Sequence, residues 1–164
     1  MLKFIGNTLD RVWFAINMVV AMQLPGFIQQ YGQRLAGHLD EAKYQLANYQ
    51  YIADQHYQGD IPLLVKRYQT NSDPGINAAG DLVFALIERI SLLTGQVEHL
   101  FNSDFFSKIY YFIMELNLIV AQATLRDYQL SIPLDKASLL TGFVFAVVVS
   151  LISTSSFKLI QRST

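Results

Sequence analysis

ASLLTGFVFAVVVSLISTSSF, residues 137–157, contains no charged side chain. As an α-helix rising about 1.5 Å per residue, it covers roughly the 30 Å hydrocarbon thickness of a bilayer, the solvent that suits so oily a surface. Lys136 and Lys158 bracket the stretch, and Asp135 stands where a carboxylate can cap the first turn. Residues 135–158 are therefore predicted to form a transmembrane helix, with 159–164 as a short tail.

A second span is predicted at the other end. Lys3 leads into an apolar region whose cleanest part is Val12 to Leu24, and Val19-Val20-Ala21 looks like a small-residue cleavage site of a secretory signal. The reading adopted is a retained signal anchor over residues 1–25. Asp10 and Arg11 then fall inside or near the headgroup boundary, where a charge has to be paired or turned toward protein. Lys3, Arg11, Lys158 and Arg162 lie on the terminal sides of the two spans, while the interior stretch Pro25 to Lys136 holds eight basic and twelve acidic residues. Positive flanks remain in the cytoplasm. Both termini are thus expected to be cytoplasmic and residues 26–134 to form a periplasmic domain of a bacterial inner-membrane protein, although Arg34 and Lys136 count against that orientation.

The interior reads as helices. After an expected break at Pro25-Gly26, Ile28, Tyr31, Leu35, Leu39, Ala42, Leu46, Tyr49 and Ala53 recur at spacings of three and four, the buried face of a long amphipathic helix. Gly59 stops it, and Asp60 caps a short helix from Ile61 to Val65. Asp73-Pro74, an N-cap followed by proline at the first helical position, opens a third helix with Leu82, Val83, Leu86, Ile90, Leu93, Val97 and Leu100 inward. Ser103-Asp104 starts a fourth, predicted to run to about Asp127. Its apolar core at 105–123 raises the alternative of a third membrane span. Against that stand Lys108, Tyr111, Glu115, Gln122 and Arg126 on one face, opposite Phe105, Ile109, Phe112, Leu116, Ile119 and Ala123. Pro133 makes residues 129–135 extended as the chain returns to the membrane. The expected fold class is all-α: two transmembrane helices flanking an extramembrane helical bundle or hairpin domain.

Two juxtamembrane segments, PGFIQQYGQRLAGHLDEA (25–42) and ATLRDYQLSIPL (123–134), are the basis of a resemblance to the Domain of Unknown Function 2937 family of proteobacterial membrane proteins. It extends over nearly the whole chain, with Asp10-Arg11 and Asn17 as points of departure. The resemblance implies a bacterial inner-membrane protein without an assigned activity, and it adds no catalytic residues.

Composition limits the chemistry. Charged residues make up 15% of the chain, against about 25% in typical soluble proteins, and the net charge is −1. With no basic cluster longer than Lys66-Arg67, nucleic acid is not an expected partner. Without cysteine there is no thiolate nucleophile and no thiolate metal site. His38 and Glu41 have the i, i+3 spacing of two metal ligands on one helical face, but two ligands do not make a site. His56 and His99 neighbour carboxylates only by adjacency. Neither GxSxG nor HExxH occurs, and the glycines of DPGINAAGD lack the Lys-Ser/Thr of a phosphate loop. No enzyme activity, metal or cofactor is expected.

The constellation with most content is a stripe of small residues in the second span, Ser138, Gly142, Ala146, Ser150 and Thr154, repeating every fourth position. Small residues let helix backbones approach closely in lipid. Gly6, Asp10, Asn17 and Ala21 form a partner-like stripe in the first span. Packing of the two spans on each other and self-association both satisfy the pattern. Gln29, Gln30, Gln33 and Arg34, with His38 and Glu41 further along, are candidate contacts to a partner or lipid headgroup. The expected function is a non-catalytic accessory or scaffold subunit, associating with itself or with another membrane protein in the lipid bilayer. The alternative is binding or transfer of a lipid or small apolar ligand, motivated by the aromatic run Phe105, Phe106, Tyr110, Tyr111 and Phe112. A membrane-surface enzyme using His38 and Glu41 is the third class.

Overall fold

A computed structural model describes the backbone of residues 2–130 and 134–163, and the side chains of residues 11–130 and 134–152. Among the described residues the chain is entirely helical: α1 (Leu2–His56), α2 (Ile61–Gln69), α3 (Pro74–Asn102), α4 (Phe105–Met114), α5 (Leu118–Asp127) and α6 (Lys136–Ser163). It divides into two compact units, residues 31–122 and residues 1–30 with 123–164.

In the unit of residues 31–122, α1 buries the predicted face, with Tyr31, Leu35, Leu39, Ala42 and Ala53 each at most 5% exposed. Its end follows from the glycine. Gly59, at φ +82°, donates its N–H back to the Ala53 carbonyl at 3.0 Å, a left-handed closure onto a carbonyl that also accepts the Tyr57 N–H at 2.7 Å. The Asp60 carboxylate then accepts the Leu63 N–H at 2.9 Å and starts α2. Ala53, Ile61, Leu64, Val65 and Val83 form a continuous core, with Leu46, Tyr49 and Ile87 packed around it. The α2–α3 contact is close at Gly80, where a Cβ would lie 2.8 Å from the Gln69 nitrogen. Asp73 caps α3 through Gly75 and Ile76, with Pro74 in the first turn, as its sequence predicts. The register of α3 differs in one place: Leu82, expected inside, is 71% exposed, and Ile87 packs on the core instead.

The predicted fourth helix is broken in two. Asn117 is the reason: its side-chain oxygen accepts the N–H groups of Ile119 and Val120 at 3.1 and 3.2 Å, which makes it an N-cap rather than an interior residue. Its own N–H donates to the hydroxyl of buried Tyr31 at 3.0 Å. The break changes the register, so Ile119, expected on the buried face, is 79% exposed.

In the other unit, the expected break at Pro25-Gly26 is absent, and α1 runs through Pro25. A proline removes one helical hydrogen bond and crowds the preceding turn, so packing has to hold the helix there. The Tyr128 hydroxyl donates to the Gln23 carbonyl at 3.1 Å, and its ring meets Phe27 edge-on at 5.6 Å. A Cβ at Gly26 would lie 3.1 Å from that hydroxyl, so the glycine accommodates the tyrosine rather than ending the helix. Among the described residues one helix, α1, is long and apolar enough to cross a membrane; the apolar run Lys136–Ile152 of α6 is shorter, as is Phe105–Met114. The extended segment expected around Pro133 includes residues 131–133, outside the described residues.

Candidate functional site

The small-residue stripe of α6 forms an interior seam. The Asp135 carboxylate accepts the Ser138 N–H at 2.9 Å and so sets the start of the helix. Four-residue spacing then places Ser138, Gly142 and Ala146 on one side, and all three are buried, with Ser138 1% and Ala146 0% exposed. Ser150 is half-buried. The facing helix is α1 of the same chain. A Cβ added at Gly142 would collide with the Met22 side chain and would stand 2.8 Å from the Met18 carbonyl oxygen. Met22 and Ala21 are buried, at 4% and 8% exposure. The glycine is needed for backbone-level contact, since a larger residue would hold the helices apart.

Asn17, a predicted member of the facing stripe, is half-buried, its side-chain amide donating to the Trp13 carbonyl one turn back at 2.8 Å. Gly6, Asp10 and Thr154 lie outside the residues whose side chains are described. The outward surfaces of both helices are large and apolar: Val12, Trp13, Ile16, Val19 and Val20 on α1, and Leu140, Phe143, Val144, Leu151 and Ile152 on α6, are each at least 50% exposed.

The predicted headgroup contacts are dispersed. Gln29, Gln30, Gln33, His38 and Glu41 are exposed, and Arg34 is half-buried. Glu41 accepts a hydrogen bond from the Gln45 amide at 3.0 Å. His38 instead lines a cleft of about 300 Å³ formed by residues of α1, α3 and the start of α5, together with Arg89, Leu92, Gln96, Asn117 and Ile119. Among the described residues no carboxylate lines it. The sequence reading did not join His38 to Arg89, because nothing in local spacing relates residues on two separate helices.

His99 was also placed differently from expectation. Its Nδ1 lies 2.8 Å from Glu115 Oε1, and its ring stacks on Tyr111 at 4.1 Å and 15°. The Gln96 amide donates to the Glu115 carbonyl at 3.3 Å. Glu115, expected on a solvated face, therefore holds the corner between α3 and α4 through its side chain and its backbone. Among the described residues no group of three or more His, Asp or Glu side chains gathers as a metal site. Asp104 caps α4: the Ser107 hydroxyl, at 2.6 Å, and the backbone N–H groups of Ser107 and Phe106 hold its carboxyl below the ordinary range. Burial pushes the Tyr128 hydroxyl up.

The aromatic run of α4 faces two ways. Phe112 meets Tyr31 edge-on at 5.2 Å, while Phe106 is 81% and Tyr110 57% exposed.

Compared with known proteins, the chain matches the family described as protein of unknown function (DUF2937) over residues 5–164. No curated protein and no solved structure matches it.

Proposed function

The chain belongs to the DUF2937 family of proteins of unknown function, and on that premise we propose that it is a non-catalytic bacterial inner-membrane protein, anchored by a two-helix hairpin and acting as an accessory or scaffold subunit. The observation that carries this reading is the inside-out arrangement of α1 and α6. Small side chains of α6 close onto Met22 and the Met18 backbone of α1, and large apolar ones cover the outside. In water such a unit would expose its oiliest surface, whereas in lipid that surface is solvated and the seam provides the close contact that holds helices together. The cationic terminal flanks support cytoplasmic termini and a periplasmic helical domain.

Because the stripe is occupied within the chain, association with further subunits falls to the outward surfaces. The exposure of Phe106 and Tyr110 favours a surface contact over a carrier's enclosed aromatic cavity. The test is cross-linking in native membranes after an alkaline carbonate wash. Retention in the membrane with a discrete cross-linked species is expected. Release by the wash overturns the anchor, and a monomer at every expression level overturns the assembly role.

A further inference from the structure

Phe106, Tyr110, Ile113 and Met114 stand at i, i+4, i+7 and i+8 of α4, one helical face, and are 57–81% exposed. Past the break, Leu118 and Ile119 are exposed as well, at 66% and 79%. The other side of α4 does the packing, Phe112 on Tyr31 and Tyr111 on His99, and no residue of α4 is fully buried. Side chains of this size present on the order of 100 Å² apiece at such exposure, so together they exceed the few hundred Å² of contiguous apolar surface that a soluble monomer ordinarily tolerates.

We propose that this face of α4 and the start of α5 lies in the headgroup–acyl boundary of a bilayer, making α4 an in-plane membrane helix. The inference rests on the anchored reading above. Charge complementarity selects lipid as the occupant. Ile119, one of the exposed apolar residues, also rims the cleft that carries Arg89, His38 and the Gln96 amide, with no carboxylate among the described residues. Donors and a cation beside an exposed apolar rim are the complement of a phospholipid, with its phosphate above its acyl chains. Tyr110, amphipathic and more than half exposed, is the residue type that sits at that depth.

The cysteine-free chain makes the test direct. Phe106→Cys, Ile113→Cys and Ile119→Cys, each labelled with an environment-sensitive fluorophore, are reconstituted full-length in phosphatidylethanolamine–phosphatidylglycerol vesicles. Phe143→Cys serves as the lipid reference and Gln45→Cys as the water reference. The three α4–α5 probes are expected to be blue-shifted, quenched by nitroxide lipids and shielded from iodide, with Gln45→Cys the reverse. Iodide quenching without nitroxide quenching at all three, while Phe143→Cys stays lipid-quenched, overturns the in-plane helix and leaves the anchor standing. Shielding from both quenchers assigns the face to another protein or a second copy and also overturns it. Failure of the Phe143→Cys probe to reach lipid overturns the anchored reading itself. Arg89→Gln is expected to lower the docked population roughly five-fold in anionic vesicles, and an unchanged population removes the cleft from the argument.

Discussion

Replacing Tyr31 with phenylalanine removes one oxygen and tests how the α4–α5 corner is set. Tyr31 is 1% exposed, and its hydroxyl accepts the N–H of Asn117 at 3.0 Å, 86 residues further along the chain. Asn117 in turn caps α5 through its side-chain oxygen. Tyr31→Phe keeps the ring and its 5.2 Å edge contact with Phe112 and leaves the Asn117 N–H without its acceptor. An unpaired buried N–H costs about 1–3 kcal/mol, and because Asn117 is itself exposed, water can partly replace the bond, so about 1 kcal/mol is expected. Tyr31→Ala also deletes the buried ring and should cost about 3–5 kcal/mol. Thermal unfolding of the full chain in detergent, followed by circular dichroism, should show the Phe variant roughly 2–4 °C lower. Hydrogen exchange at the amides of Asn117, Ile119 and Val120 should accelerate about five-fold, with little change at Leu64 or Val83. An unshifted midpoint with unchanged exchange at Asn117 refutes the reasoning, and so does a Phe variant that falls as far as the Ala variant.

Gly142→Leu, whose Cβ would meet the fixed Met18 carbonyl at 2.8 Å, should destabilise the hairpin by about 1–3 kcal/mol in micelle unfolding titrations. Gly95→Ala, with nothing within 4 Å of the added carbon, should be neutral or gain up to about 1 kcal/mol in the same measurement. Gly80→Ala should loosen the α2–α3 contact, seen as faster exchange of α2 amides, because the new methyl would press on the backbone of Gln69. Asp104 carries a lowered pKa, so its stabilising contribution is complete above its ordinary value of 3.8 and is lost as pH falls through the lower folded value. Asp104→Asn should abolish that acid-side loss in the exchange of α4 amides, and a persisting pH response would assign it to another carboxylate.

Much of the architecture was legible because it depends on local chemistry. Caps at Asp60, Asp73 and Asp135, the stop at Gly59 and the inward face of α1 all follow from backbone groups and side chains within a few positions of one another. The errors arose where distant residues intervene. Pro25 reads as a break because a proline removes a helical hydrogen bond, and only the distant Tyr128 shows why the helix continues. Asn117 reads as helix interior because the apolar run passes through it; its side-chain oxygen caps α5 through Ile119 and Val120, while its own N–H turns to the distant hydroxyl of Tyr31. A one-residue shift of the buried face, from Ile119 and Ala123 to Val120 and Thr124, turned Ile119 from core to surface.

The functional surfaces divide in the same way. Hydropathy and the four-residue stripe of α6 are properties of one helix, so the sequence alone determined that α6 has a small, closely approachable side and that the chain's ends are apolar. Which helix fills that side was a tertiary decision, made by Met18 and Met22 of α1. The pairing of His99 with Glu115, the cleft joining His38 to Arg89 and the outward turn of α4 were likewise decided by how the helices pack. Spacing along a chain encodes one helical face, and two faces come together only through the packing that covers the rest of the helix.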